Sequence, residues 1–104
     1  MLEQTIRAVV YKEGDWWVIR CLEYGFVTVT KRREDVPSEI RRFVLVQVAA
    51  SLKYGIEPFR GYAPAPRRYW EMYEKANPWE EPLPPVELPG DLGPNPTLEA
   101  RLAA

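Results

Sequence analysis

Residues 11–22 read YKEGDWWVIRCL, and the adjacent tryptophans Trp16 and Trp17 within them constrain how the chain folds. Lys12-Glu13-Gly14 separates two runs of bulky, β-prone residues, TIRAVVY over 5–11 and WWVIRCL over 16–22. Gly14 can supply the positive φ of a tight turn, so the runs are expected to pair as an antiparallel hairpin. Successive side chains of a strand point to opposite faces, so Trp16 and Trp17 cannot share one core. A third run, FVTVT over 26–30, follows the turn signal Glu23-Tyr24-Gly25. Alternation then sorts the three strands into two faces. Ile6, Ala8, Val10, Trp17, Ile19, Cys21, Val27 and Val29 form a charge-free set, the expected core face. Thr5, Arg7, Val9, Tyr11, Trp16, Val18, Arg20, Phe26, Thr28 and Thr30 form the other.

Residues 37–54, PSEIRRFVLVQVAASLKY, carry the helical signals: Pro37 in the first turn, Glu39 at the positive end of the dipole, and Gly55 as the stop. Ile40, Phe43, Val44, Val48, Ser51 and Leu52 recur at helical spacing and are expected on the charge-free sheet face. Leu45, Val46, Ala49 and Ala50 leave the rest of the helix apolar too, which predicts cover on more than one side. A proline-bearing connection over 55–66 includes a candidate edge strand at 56–62. A second helix is expected over 66–77, between Pro66 and Asn77-Pro78, packed on the main helix or on a neighbouring subunit. From Trp79 the chain is acidic and proline-rich. It reads as extended, polyproline-like chain ordered where it docks, with a frayed helical turn or two over 97–103. The expected fold is α+β: a three-stranded antiparallel sheet packed by one main helix (β-β-β-α), with a second short helix and a proline-rich C-terminal tail. The units fall at 1–56, 57–78 and 79–104.

With 104 residues the chain is one small domain with an appendage. No run approaches ~18 apolar residues, so no membrane span is expected, and the first residues lack the basic n-region of a secretory signal. The single cysteine, Cys21, rules out an internal disulfide framework and fits a reducing, cytoplasmic setting. Mid-strand, it reads as a buried structural thiol. Histidine is absent, which removes the commonest general base and the commonest transition-metal ligand. The expectation is therefore a protein that is not an enzyme and carries no cofactor or metal. Four amides against eleven prolines hint at a heat-adapted host.

Charge is uneven. Residues 1–76 carry 13 Lys/Arg against 10 Asp/Glu, a formal +3, and residues 77–104 carry one Arg against five acids, a formal −4. Lys31, Arg32, Arg33, Arg41 and Arg42 are candidate phosphate contacts, though Glu34, Asp35 and Glu39 neutralise much of the cluster. Arg7, Val9, Tyr11, Trp16, Val18, Arg20 and Phe26 are the candidate partner-facing residues, since Tyr, Trp and Arg are enriched at interface hot spots. The same mixture of arginine and aromatic side chains on a sheet face can stack single-stranded bases. Left in water, this patch would be larger than a soluble monomer usually shows. A partner, another subunit or residues 56–80 must cover it.

The sequence AVVYKEGDWWVIRCLEYGFVTV over 8–29, followed by a charged link and one amphipathic helix, resembles the N-terminal domain of HicB-like antitoxins. Glu13-Gly14-Asp15-Trp16-Trp17 matches the family's acidic-glycine turn with paired aromatics, and Leu22-Glu23-Tyr24-Gly25 matches the link to strand three. The likeness covers residues 5 to about 54. Where the family commonly has Gly-Asp-Thr and a Glu-Glu-Ala helix start, this chain has KRREDVPSEIRRF, and no DNA-binding segment is evident over 55–104. The resemblance implies a non-enzymatic protein-binding module that masks a small basic ribonuclease toxin of the HicA kind, and it does not extend to operator binding. Two other readings stand beside it: an RNA- or single-strand-binding protein, and a self-associating structural protein. A homodimer or higher assembly is expected from the apolar surface left over on helix and sheet.

Overall fold

The computed structural model describes residues 5–88 and 95–103. The chain is α+β. Strands β1 (Thr5–Glu13), β2 (Trp16–Cys21) and β3 (Val27–Thr30) are followed by helix α1 (Val36–Tyr54), helix α2 (Arg67–Lys75), β4 (Asn77–Pro78) and β5 (Thr97–Leu102). The expected sheet of three antiparallel strands is corrected to a mixed sheet of five, in the order β3-β2-β1-β5-β4. β1 pairs antiparallel with β2 and parallel with β5, Ile6 opposite Leu98 and Ala8 opposite Ala100. Residues 97–102 are thus a near-central strand and not a helical turn. Thr-Leu-Glu-Ala-Arg-Leu has ordinary helix propensity, but its alternation places Leu98, Ala100 and Leu102 beside the apolar residues of β1, and burial there outweighs propensity.

α1 lies across one sheet face, buries Val36, Ile40, Val44, Val48 and Ser51, and ends at Gly55. Leu52, expected in this contact, is largely exposed. The tail completes the core that α1 begins. Val86 joins Ile6, Cys21, Phe26, Val44, Val48 and Phe59, while Trp79 packs with Ala8, Val10, Ile19, Val36, Ile40 and Ala100. Trp17 packs against this second cluster, as its parity requires. Residues 56–62 form turns and no strand. There Phe59 adopts a positive φ and inserts its ring into the core, stacked on Tyr24 at 4.3 Å.

α2 packs on the opposite sheet face from α1, and not on the main helix. Tyr69, Tyr73 and Ala65 cover Val9 and Leu22 there. Arg101 fastens α2 to β5, donating to the Tyr73 carbonyl at 3.2 Å with its guanidinium 4.4 Å above the Tyr73 ring. The sheet is therefore sandwiched between two helices, but α2 covers only part of its face. Among the described residues, no helix is long and apolar enough to cross a membrane.

Candidate protein-docking face

On the α2 side the paired strands form cross-sheet rows. Val9, Arg20 and Val27 stand in one row, and Tyr11, Val18 and Val29 in the next. α2 covers the β1 end of these rows. Val9 is fully buried, and Tyr11 stacks on Tyr69 with ring centroids 6.4 Å apart. The β3 end is bare: Val27 is 40% exposed, Val29 44% and the neighbouring Trp16 43%. Between the covered and bare ends runs a groove of about 370 Å³, lined by Tyr11, Glu13, Trp16, Val18, Arg20, Val27 and Val29. The Lys31 ammonium lies 5.0 Å over the Trp16 ring.

Arg20 and Glu13 are the charged groups that line the groove. The Arg20 guanidinium lies 3.8 Å above the Tyr69 ring, and its Nε is buried without a hydrogen-bond partner. Among the described residues no carboxylate pairs with it. Arg7, in contrast, is fully engaged: Glu23 accepts from its backbone N–H and from its Nη1, both at 2.6 Å. The Glu23 hydrogen bond raises the pKa of the Arg7 guanidinium above its ordinary value.

The structure redistributes the expected interface residues. Trp16 is exposed, Tyr11, Val18 and Arg20 line the groove, Val9 lies beneath α2, and Arg7 is taken by Glu23. Phe26 is corrected outright. It sits in the α1 core, stacked on Phe43 at 4.0 Å, so strand three has the opposite parity from that expected. Phe26, Thr28 and Thr30 face α1, while Val27 and Val29 face out. The physical reason is the link. Cys21 N–H donates to the Phe26 carbonyl at 2.9 Å, so the turn must close within 22–25. Gly25 makes this possible at φ +67°, where a Cβ would come within 2.3 Å of the Ala63 carbonyl oxygen. Thr28 then meets the helix, donating to Glu39 Oε1 at 2.9 Å. Counting apolar residues assigns Val27 and Val29 to the core; the one large ring, at Phe26, is the sequence signal pointing the other way.

The basic cluster does not converge on a common point. Arg32 pairs with Glu34, Arg33 stacks on Trp79 and reaches Glu81 at 3.5 Å, Arg41 donates to the Pro85 carbonyl, and Arg42 pairs with Glu39. Burial pushes the Cys21 thiol up to about 12, which makes it inert at neutral pH. Among the described residues no three His, Cys, Asp or Glu side chains are placed to hold a metal ion. The comparisons with family models, curated proteins and solved structures find no match.

Proposed function

We propose that the protein is a non-enzymatic protein-binding module of the antitoxin type, and that the bare β2–β3 half of the outer sheet face is its docking surface. One observation supports this most: Trp16, Val27 and Val29, three apolar side chains, are exposed side by side on a part of that face that α2 leaves uncovered. An apolar floor with an aromatic anchor and a few charged side chains at its margin is the composition of an interface core. The class of partner, a small basic ribonuclease, rests on the likeness of residues 5–54 to HicB-like antitoxins. The base-stacking alternative is weakened because its platform is dispersed: Phe26 is in the core, Arg7 is held by Glu23 and Arg20 lies on Tyr69.

The test is calorimetric titration of the full chain against a ribonuclease of that class encoded beside it, and separately against single-stranded RNA. The expected result is a protein complex that barely responds between ~50 and ~200 mM salt and that Trp16→Ala weakens at least ~10-fold. RNA binding that collapses by orders of magnitude over the same salt range, with no ribonuclease complex, would overturn the proposal.

A further inference from the structure

We propose that β3 pairs with the β3 of a second copy, antiparallel about a two-fold axis at Thr28, joining the two sheets into one. β3 is the last strand of the sheet. The Cys21–Phe26 backbone bond and the β2–β3 register make Ile19/Thr28 and Trp17/Thr30 the hydrogen-bonded pairs, because such pairs alternate along an antiparallel ladder. Val27 and Val29 therefore direct their N–H and C=O groups to the free edge, and no described hydrogen bond uses them.

A strand of this kind is a template for another strand, and natural edges are usually blunted with lysine, proline or a bulge. Val-Thr-Val-Thr carries none of these. Its partner is specified by its own pattern. Side chains of directly opposed residues share a face, and a perpendicular two-fold axis preserves the faces, so Val must oppose Val and Thr must oppose Thr. With Thr28 opposite Thr28 of the copy, Val27 opposes the copy's Val29 and the reverse. Every outward-facing group of the strand is then paired, giving about four inter-chain hydrogen bonds. The apolar rows become continuous across the axis, so the two bare half-faces merge into one floor. On the helix side each Glu39 arrives at the axis already paired with Arg42 and Thr28.

This inference uses the same face as the docking proposal but concerns its edge, so the two fail separately. Trp16→Ala removes the face anchor and leaves the dimer intact. Val29→Pro deletes an amide that no intrachain bond uses, at an edge position where proline is tolerated. The expected results are a mass twice that of one chain by light scattering at ~100 μM for the full-length protein, and a monomer with unchanged circular dichroism for Val29→Pro. A cross-linking pair decides the matter if Val29→Pro does not fold. Opposed residues of a non-hydrogen-bonded pair lie about 4.5 Å apart between Cα atoms, within disulfide range. Thr28→Cys should therefore form a covalent dimer on mild oxidation and Thr30→Cys should not, while the buried Cys21 stays out of the reaction. A full-length monomer at ~100 μM, or cross-linking through Thr30→Cys in preference to Thr28→Cys, would overturn the proposal.

Discussion

The two edges of the sheet end in opposite ways. At one, β4 is only Asn77–Pro78, and Pro78 has no N–H to offer a further strand. Trp79 follows at once, turning the chain inward to donate its N–H to the Ala100 carbonyl and bury its ring. At the other edge β3 is four residues of alternating valine and threonine, with Phe26 and Thr28 turned to the helix and Val27 and Val29 turned to water. One edge is closed by its own residues; the other is left usable.

The largest expected effect comes from destroying the closed edge. A chain ending at Gly55 loses α2, β4 and β5 together with Trp79 and Val86, and leaves β1 as a second bare edge with its apolar inner face half uncovered. Such a chain should show no cooperative thermal unfolding transition by circular dichroism. A cooperative transition near that of the full chain would mean that residues 56–103 are an appendage, and the contrast between the edges would be empty.

Next in size is the contrast across β3 itself. Phe26 is 6% exposed and stacks on Phe43 and Phe59, whereas Trp16, on the other face of the neighbouring strand, is 43% exposed. Phe26→Ala should cost about 3–5 kcal/mol in urea unfolding and Trp16→Ala about 1 kcal/mol or less. Equal losses would return Phe26 to the outer face and undo the parity assigned to strand three.

That parity marks where sequence reading succeeds and where it stops. The β1–β2 hairpin and both helices are legible because local signals agree: Gly14 between alternating runs, Pro37 and Gly55 bracketing α1, Pro66 and Asn77-Pro78 bracketing α2. The opposite orientations of Trp16 and Trp17 follow from strand geometry alone. Strand three is legible as a strand, yet its faces depend on how many residues the Glu23-Tyr24-Gly25 link absorbs, and a one-residue difference exchanges the faces. β5 is hidden because Leu, Glu, Ala and Arg carry no strand preference; only its place against β1 makes it one. The candidate site suffers in the same way. Tyr11, Trp16, Val18 and Arg20 are visible by parity, but Val27 and Val29 are not, and the cover that α2 gives Val9 is a tertiary fact with no local signature.

The smallest expected effect lies on the helix side of the open edge. The hydrogen bond from Arg42, helped by the one from Thr28, holds the Glu39 carboxyl below the usual carboxylate range although burial opposes it. A carboxyl depressed by folding stabilises the folded state fully above its ordinary value of ~4.3, and that contribution is lost as pH falls through the folded value. The Glu39 side chain is 19% exposed but Arg42 is 58% exposed, so solvent screening keeps the gain to at most about 1 kcal/mol. Glu39→Gln keeps an oxygen for Thr28 and removes only the charge. Its deficit relative to the wild type, measured by urea unfolding, should be visible at pH 7 and should shrink as pH falls below the ordinary carboxylate value and through the lowered folded one. A deficit that does not change with pH would assign the effect to packing between α1 and β3, and the edge would then be held without the charge.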